Sequence, residues 1–313
     1  MTEQELIDAR RQRFHIAANP VRTIEDAREF MNQVGFCLMY PLRHPFAAPL
    51  PTFIGAYAGT DQGLPYAQIA FADPRATPAT ELMVRLLRER AAFESNIFDE
   101  GPLLISAQLF PYFYALVGDK TPKTPPKLTG TRKVSPLALE LYKTIAKNGA
   151  STKAELQGEF SSISDAGLDR ALSELWSILK TTRVDYSPER GASWDLTSKW
   201  APEAARQGAL MSAPEALSAI VSRYLVAVVA AEDKEIEDFV GHFASRSRVA
   251  ETLKVLVNAR EVLSLPAVSA GAKRLLQLAE TAPLPIGKPA LVTRRASRPQ
   301  RVSGPAARSR HHG

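Results

Sequence analysis

Cysteine is almost missing from this chain: Cys37 is the one thiol in 313 residues. A lone thiol excludes an intramolecular disulfide and points to a reducing compartment, read here as the cytoplasm. Histidine is nearly as scarce. His15, His44 and His242 lie far apart, while His311 and His312 end a polar tail. A Cys/His zinc site is therefore not expected, and neither a metal nor a cofactor is implied. Long apolar runs are lacking as well. The run YLVAVVAA at 224–231 falls far short of the ~20 residues a membrane helix needs, so no membrane partner is expected. The opening MTEQELIDARRQRFHIAANP mixes acids and arginines, without the apolar stretch of ~7–15 residues that marks a secretory leader.

Charge is what the chain does have, and its location matters. The formal net charge is +6. Lys288, Arg294, Arg295, Arg298, Arg301, Arg308 and Arg310 fall in the last 33 residues with no acid among them, leaving 32 basic against 33 acidic residues in 1–280. The body is about neutral, and the excess sits in a Pro/Ser/Ala/Arg-rich stretch, 281–313, read as a disordered basic tail. Such a tail adds a sequence-blind, salt-sensitive attraction to phosphates, or is simply a solvated end. Deleting it is expected to weaken DNA affinity about equally for all sequences.

Local architecture is clearest over 131–200. Ser135 is placed to cap a helix that starts at Pro136, presents Leu137, Leu141 and Ile145 at helical spacing and stops at Gly149. Thr152 and Glu155 form a capping box for a short helix through Phe160. A third helix over 164–180 gathers Leu168, Leu172, Leu175, Trp176 and Leu179 on one face. TTRVDY then alternates, turns through SPERGA and returns as SWDLT. Three helices followed by a hairpin is the winged-helix order. It recurs over 201–266, with helices at 214–231, 232–243 and 245–260 and a strand in EVLSLP. A helix is expected over 267–280. Residues 1–130 read as a less regular α/β region, with helices at 3–17, 23–33 and 77–95, strands at 35–40, 97–106 and 110–117, and a loop-rich 41–76 holding a short helical PTFIGAYAG. The expected fold class is α+β: mainly α with short β-hairpins, in tandem winged-helix units.

The segments FMNQVGFCLMYP, LFPYFYALVGD, LDRALSELWSILKTTRVDYSP, WAPEA and PEALSAIVSRYLVAVVAAE, in that order over roughly 20–265, resemble the AlkZ/YcaQ family of winged-helix DNA glycosylases, and most of all its AlkZ-related branch. That family repairs alkylated bases and interstrand crosslinks. The resemblance implies tandem winged helices cradling double-stranded DNA, damaged or intact. It also implies a strand carrying Gln-x-Gln or Gln-x-Asp, whose side chains position water and stabilise positive charge on the sugar. After the matching lead-in Val34-Gly35-Phe36, Leu38 and Tyr40 stand where those polar residues belong. Leucine has no acceptor, and a neutral phenol is a poor base near pH 7.

The remaining catalytic candidates are Tyr40, Arg43 and His44 at the strand end, and Glu29, Asp61 and Asp73 as the nearest carboxylates; each also reads as an ordinary strand, loop or surface residue. Phe110, Tyr112 and Tyr114 would share a strand face able to stack on bases, or else pack a core. Candidate DNA contacts are Arg170, Lys180, Arg183, Arg190 and Lys199 in the first unit, and Arg246, Arg248 and Lys254 in the second, where a helix N-terminus suits a phosphate. Three functions stay open: a glycosylase acting without the usual motif, a non-catalytic DNA-binding protein for lesion recognition or transcriptional regulation, and winged helices used for protein contact.

Overall fold

The computed structural model describes residues 1–282 apart from 17, 45, 67–72, 99, 131, 188, 266–273 and 281. The proposed tail beyond 282 lies outside the described residues. After α1 (Glu3–Arg13) come α2 (Ile24–Val34), β1 (Phe36–Leu38), α3 (Phe53–Ala58), α4 (Thr77–Arg88), β2 (Ala92–Ser95), β3 (Leu103–Ser106) and α5 (Phe110–Val117). The middle of the chain forms α6 (Pro136–Asn148), β4 (Ser151–Thr152), α7 (Lys153–Glu159), α8 (Asp165–Ser177), β5 (Thr181–Ser187), β6 (Gly191–Leu196), α9 (Thr197–Trp200) and α10 (Pro202–Leu210). The last part holds α11 (Ala213–Val228), β7 (Ala231–Glu232), α12 (Asp233–Val240), α13 (Arg246–Asn258), β8 (Val262–Leu265) and β9 (Leu275–Leu278).

The expected winged-helix order is present in the middle and last parts, and the less regular first part repeats it. Each runs helix, short strand, helix, helix, hairpin. Each forms a three-stranded antiparallel sheet whose last strand lies in the centre: β1-β3-β2, β4-β6-β5 and β7-β9-β8.

Backbone dihedrals repeat with the order. The residue ending each unit's first helix has positive φ: Gly35 (81°), Gly149 (87°) and Val229 (70°). So does the residue two positions past each third helix: Arg90 (57°), Leu179 (56°) and Arg260 (60°). At that second position the chain closes a double turn each time. Ala91, Lys180 and Glu261 donate to Leu86, Leu175 and Leu256 five residues back, while Arg90, Leu179 and Arg260 donate to Leu87, Trp176 and Val257. This reciprocal pair usually employs glycine; a side chain there costs roughly 1–2 kcal/mol. The energy is accepted because the kink turns the chain straight into the hairpin.

That kink corrects one sequence expectation. The helix over 77–95 stops at Arg88, and Phe93 lies on β2 opposite Ile105 instead of on a helical face. The first helix likewise ends at Arg13, and only Leu103–Ser106 of the strand expected over 97–106 pairs as one. The strand at 110–117 is a helix, α5, opened by Pro111 in its first turn and buried against α10 and α11. Gly208 on α10 permits that contact, since a Cβ there would lie 2.5 Å from the Pro111 carbonyl oxygen. An eight-residue apolar run is ambiguous between strand and helix by periodicity alone, and here tertiary packing decides. In the stretch assigned to a helix over 267–280, Leu275–Leu278 is the central strand of the third sheet; 266–273 lie outside the described residues.

Two apolar cores result. The middle unit encloses its own, around Leu141, Ile145, Leu168, Leu172, Trp176 and Trp194. The first and third units share the other. Phe36 of β1 stacks on Phe239 of α12 at 4.9 Å and 11°, with Tyr224 of α11 also stacked on Phe239 at 5.1 Å. Strand β1 is thus buried on both faces, Phe36, Cys37, Leu38, Met39 and Tyr40 all being buried. Burial pushes the Cys37 thiol pKa well up, and its Sγ lies 3.7 Å from Met31 Sδ. Native protein at pH 8 should therefore not react with a disulfide reagent over an hour and should release one equivalent on denaturation; rapid native labelling would show that the strand opens.

Candidate nucleic-acid interface

The end of β1 is where the Gln-x-Gln pattern would place its chemistry. Leu38 is buried, donates its N–H to the Pro51 carbonyl at 2.9 Å and sits opposite Leu103. Tyr40 is buried too, its hydroxyl 2.8 Å from Thr80 Oγ1 on α4. Burial, the largest influence, pushes the phenol up to about 12, against a smaller opposing pull from Thr80. Neither side chain can accept a proton from water at neutral pH. The strand end is a packed joint.

Beside it lies a charged pair the sequence gave no reason to expect. Glu94 on β2 is 2% exposed, and its carboxylate takes a 2.8 Å hydrogen bond from Arg183 on β5. Arg183 is held over the rings of Trp176 and Trp194, at 4.5 and 5.1 Å from their centroids. The Glu94 carbonyl oxygen accepts from Trp176 Nε1 at 3.1 Å and from Thr182 Oγ1 at 2.9 Å. Burial raises the Glu94 pKa, and Arg183 partly offsets this. The cluster joins the free edge of the first sheet to the middle unit. The sequence offers Arg183 only as a DNA contact and places Glu94 inside the helix expected over 77–95, so nothing local joins the two.

The fold therefore consumes several of the predicted DNA contacts. Lys180 is 3% exposed; its Nζ meets Asp119 at 3.1 Å and the Thr124 carbonyl at 2.6 Å, and burial lowers its pKa. Arg183 is committed to Glu94. Lys199 donates to the Ala146 carbonyl at 2.6 Å, at the C-terminal end of α6. Lys254 is exposed but lines a cleft with the acids Asp233 and Glu237. Arg170 on α8 and Arg190 in the β5–β6 turn are exposed, on a unit whose third helix also carries Asp165 and Asp169 bound to Lys153.

Arg246 and Arg248 are different. Both are exposed in the first turn of α13, and the Ser245 side chain makes no cap there, leaving the helix N-terminus open to an anion. Just before them, the His242 ring packs against Phe98 at 4.6 Å and Phe46 at 5.9 Å. This contact sets the loop holding exposed Arg43 and His44 beside the turn into α13. Sequence distance, ~200 residues, concealed that meeting.

The other candidates do not join the site. Glu29 and Asp61 are exposed surface acids. Asp73 forks with Arg75 at 3.0 and 2.5 Å, which holds its carboxyl down at about 2. Phe110, Tyr112 and Tyr114 are buried in the shared core and present no stacking face. Among the described residues no group of three His, Cys, Asp or Glu could hold a metal ion, and no helix is long and apolar enough to cross a membrane.

Comparison with known proteins adds two findings. The model of a family described as AlkZ related matches residues 80–241, just over half of the chain. Among solved structures the chain resembles the DNA glycosylase AlkZ of Streptomyces sahachiroi, with a TM-score of 0.55 at 12% identity, covering 90% of this chain and 70% of that one. At that identity the likeness concerns the fold alone. No curated protein matches.

Proposed function

The chain belongs to the AlkZ-related family, and from that premise we propose that it binds duplex DNA without hydrolysing an N-glycosidic bond at the β1 position. The observation that carries this reading is the contrast between two places in one fold. At the end of β1, Leu38 and the hydrogen-bonded Tyr40 are sealed and have no base to offer. At the start of α13, Arg246 and Arg248 stand free in a helix's first turn, next to the loop of Arg43 and His44. Backbone N–H groups and guanidinium groups together suit phosphate oxygens, which position a protein on DNA whatever the sequence. Recognition of a damaged or regulatory site follows from this arrangement more readily than bond cleavage. The catalytic alternative needs a polar group poised over the sugar, and the nearby buried carboxylate, Glu94, is locked to Arg183.

The test is to incubate the protein with duplexes carrying 7-methylguanine or an interstrand crosslink, measuring binding and, after heat or alkali, strand breakage. Binding with breakage at the level of the protein-free control is expected. Breakage above it would overturn the non-catalytic part. Failure to shift any duplex at ~100 mM salt would overturn the DNA part and favour protein contact.

A further inference from the structure

We propose that Arg223, with Arg13 beside it, is a binding site for a phosphate-type oxyanion, located at the opposite end of β1 from Tyr40. Arg223 sits in the middle of α11 and is only 6% exposed. Buried arginines are normally paired with a carboxylate, because an unpaired buried charge is costly. Among the described residues, no carboxylate lies within ion-pair distance of this one. Its Nη1 reaches the Gln33 carbonyl at 3.5 Å, the outer limit of a hydrogen bond, and its Nε is buried with no partner.

The charged neighbour is of the same sign. Arg13 of α1 donates from Nη1 to the Val226 carbonyl at 3.0 Å, almost one helical turn on from Arg223. Burial is the largest influence lowering the Arg223 pKa, Arg13 lowers it further and the phenol of Tyr112 acts the other way, while burial alone lowers that of Arg13. His15 closes the neighbourhood through Nε2 to Gln33 Oε1 at 3.0 Å. Glu215, in the first turn of α11, acts on Tyr112 and not on Arg223. Ser106, whose N–H donates to the Gly35 carbonyl at 2.8 Å, also keeps a buried hydroxyl without a partner.

The fold makes room for this arginine. Gly35 has φ +81°, and a Cβ there would lie 2.6 Å from Arg223 Cγ and 2.8 Å from Cδ. The stem is thus held against the backbone by a residue that cannot be anything but small, which fixes where the guanidinium goes. Two adjacent cations, the orphaned Nε of Arg223 and an un-ionised phenol make a site in which no carboxylate among the described residues pairs with Arg223. A tetrahedral oxyanion supplies the counter-charge, and the planar fork of arginine matches such oxygens two at a time.

Inorganic phosphate is the probe. Thermal unfolding of the full chain in phosphate, against chloride at matched ionic strength, should show a midpoint that rises with phosphate concentration. Arg223→Met removes the charge but keeps an apolar stem over Gly35. It should unfold at or above the wild-type midpoint in chloride, because no pair is broken, and should lose the phosphate response. Arg13→Gln should fold and show the response only at severalfold higher phosphate. A wild-type midpoint identical in the two salts overturns the site, as does an Arg223→Met protein that keeps the full response, which would mark a general salt effect. The source of the oxyanion is read with a short duplex. A salt dependence of binding lowered in Arg223→Met by about one phosphate assigns it to the DNA backbone, and an unchanged one to free phosphate or a phosphate monoester. Both uphold the site, and the phosphate arm stands whether or not the chain binds DNA.

Discussion

Arg183→Ala is expected to lower the stability of the protein by about 4–5 kcal/mol at pH 7, and Glu94→Ala by less, about 3 kcal/mol. The asymmetry follows from where each partner is left. Removing Arg183 strands a carboxylate that is 2% exposed, whereas removing Glu94 leaves a guanidinium that is 25% exposed and still lies over two indole rings. The first change also forfeits both cation–π contacts, worth roughly 0.5–2 kcal/mol each. The deficit of Arg183→Ala should depend on pH in one direction. Burial already raises the Glu94 pKa above the usual carboxylate range, and loss of the guanidinium raises it further. A carboxyl with a raised folded-state value contributes its full stability below the unfolded value and loses it as pH climbs through the folded one. The gap from wild type should therefore be smallest near pH 4.5 and widen toward pH 7. Urea unfolding at several pH values checks this. A gap that shrinks as pH rises, or equal costs for the two variants, would show that the pair does not seal the joint between the first and middle units.

That joint also explains how much could be seen in the sequence. The middle unit was legible because its signals are local: the Ser135 hydroxyl oxygen accepts from the Ala138 N–H at 3.2 Å, and Thr152 with Glu155 closes a reciprocal box. Gly149 ends its first helix with the positive φ that glycine accommodates. The first unit hides the same plan. Its third helix is followed two residues on by Arg90, a residue with no glycine-like preference for positive φ, so the periodic pattern of 77–88 seemed to run on into β2. Val229 and Arg260 conceal the corresponding corners of the third unit. In each case the turn is imposed by strand pairing a few residues later, which a local window does not contain. The site shows the same division. Leu38 and Tyr40 could be judged from chemistry alone, and the structure adds that both are buried. Lys180, Arg183 and Lys199 could not, because surface and internal cations look alike until their partners are known. The meeting of Phe46 with His242 is a tertiary fact with no trace in spacing.

Those internal pairings make the DNA-binding prediction sharper, since they concentrate it on few residues. The double substitution Arg246→Ala/Arg248→Ala should weaken duplex binding by about 60-fold at ~0.1 M salt and lower the slope of log affinity against log salt by roughly 1.8. The figure comes from two neutralised phosphates, each releasing ~0.9 counterion, referred to ~1 M salt. Both side chains are exposed, so the variant should fold with its unfolding midpoint unchanged. The loss should be the same for any sequence, because guanidinium groups at a helix N-terminus contact the backbone and not base edges. Arg206→Ala is the control: this arginine is exposed on α10 and already paired with Glu203 at 2.6 Å, and its removal should leave the salt slope as it was. Fluorescence anisotropy over ~50–200 mM salt with two unrelated duplexes is sufficient. An unchanged slope in the double variant would move the DNA face away from α13. A loss confined to one duplex would mean that these arginines read bases, and the first turn of α13 would then have to enter a groove instead of resting on its edge.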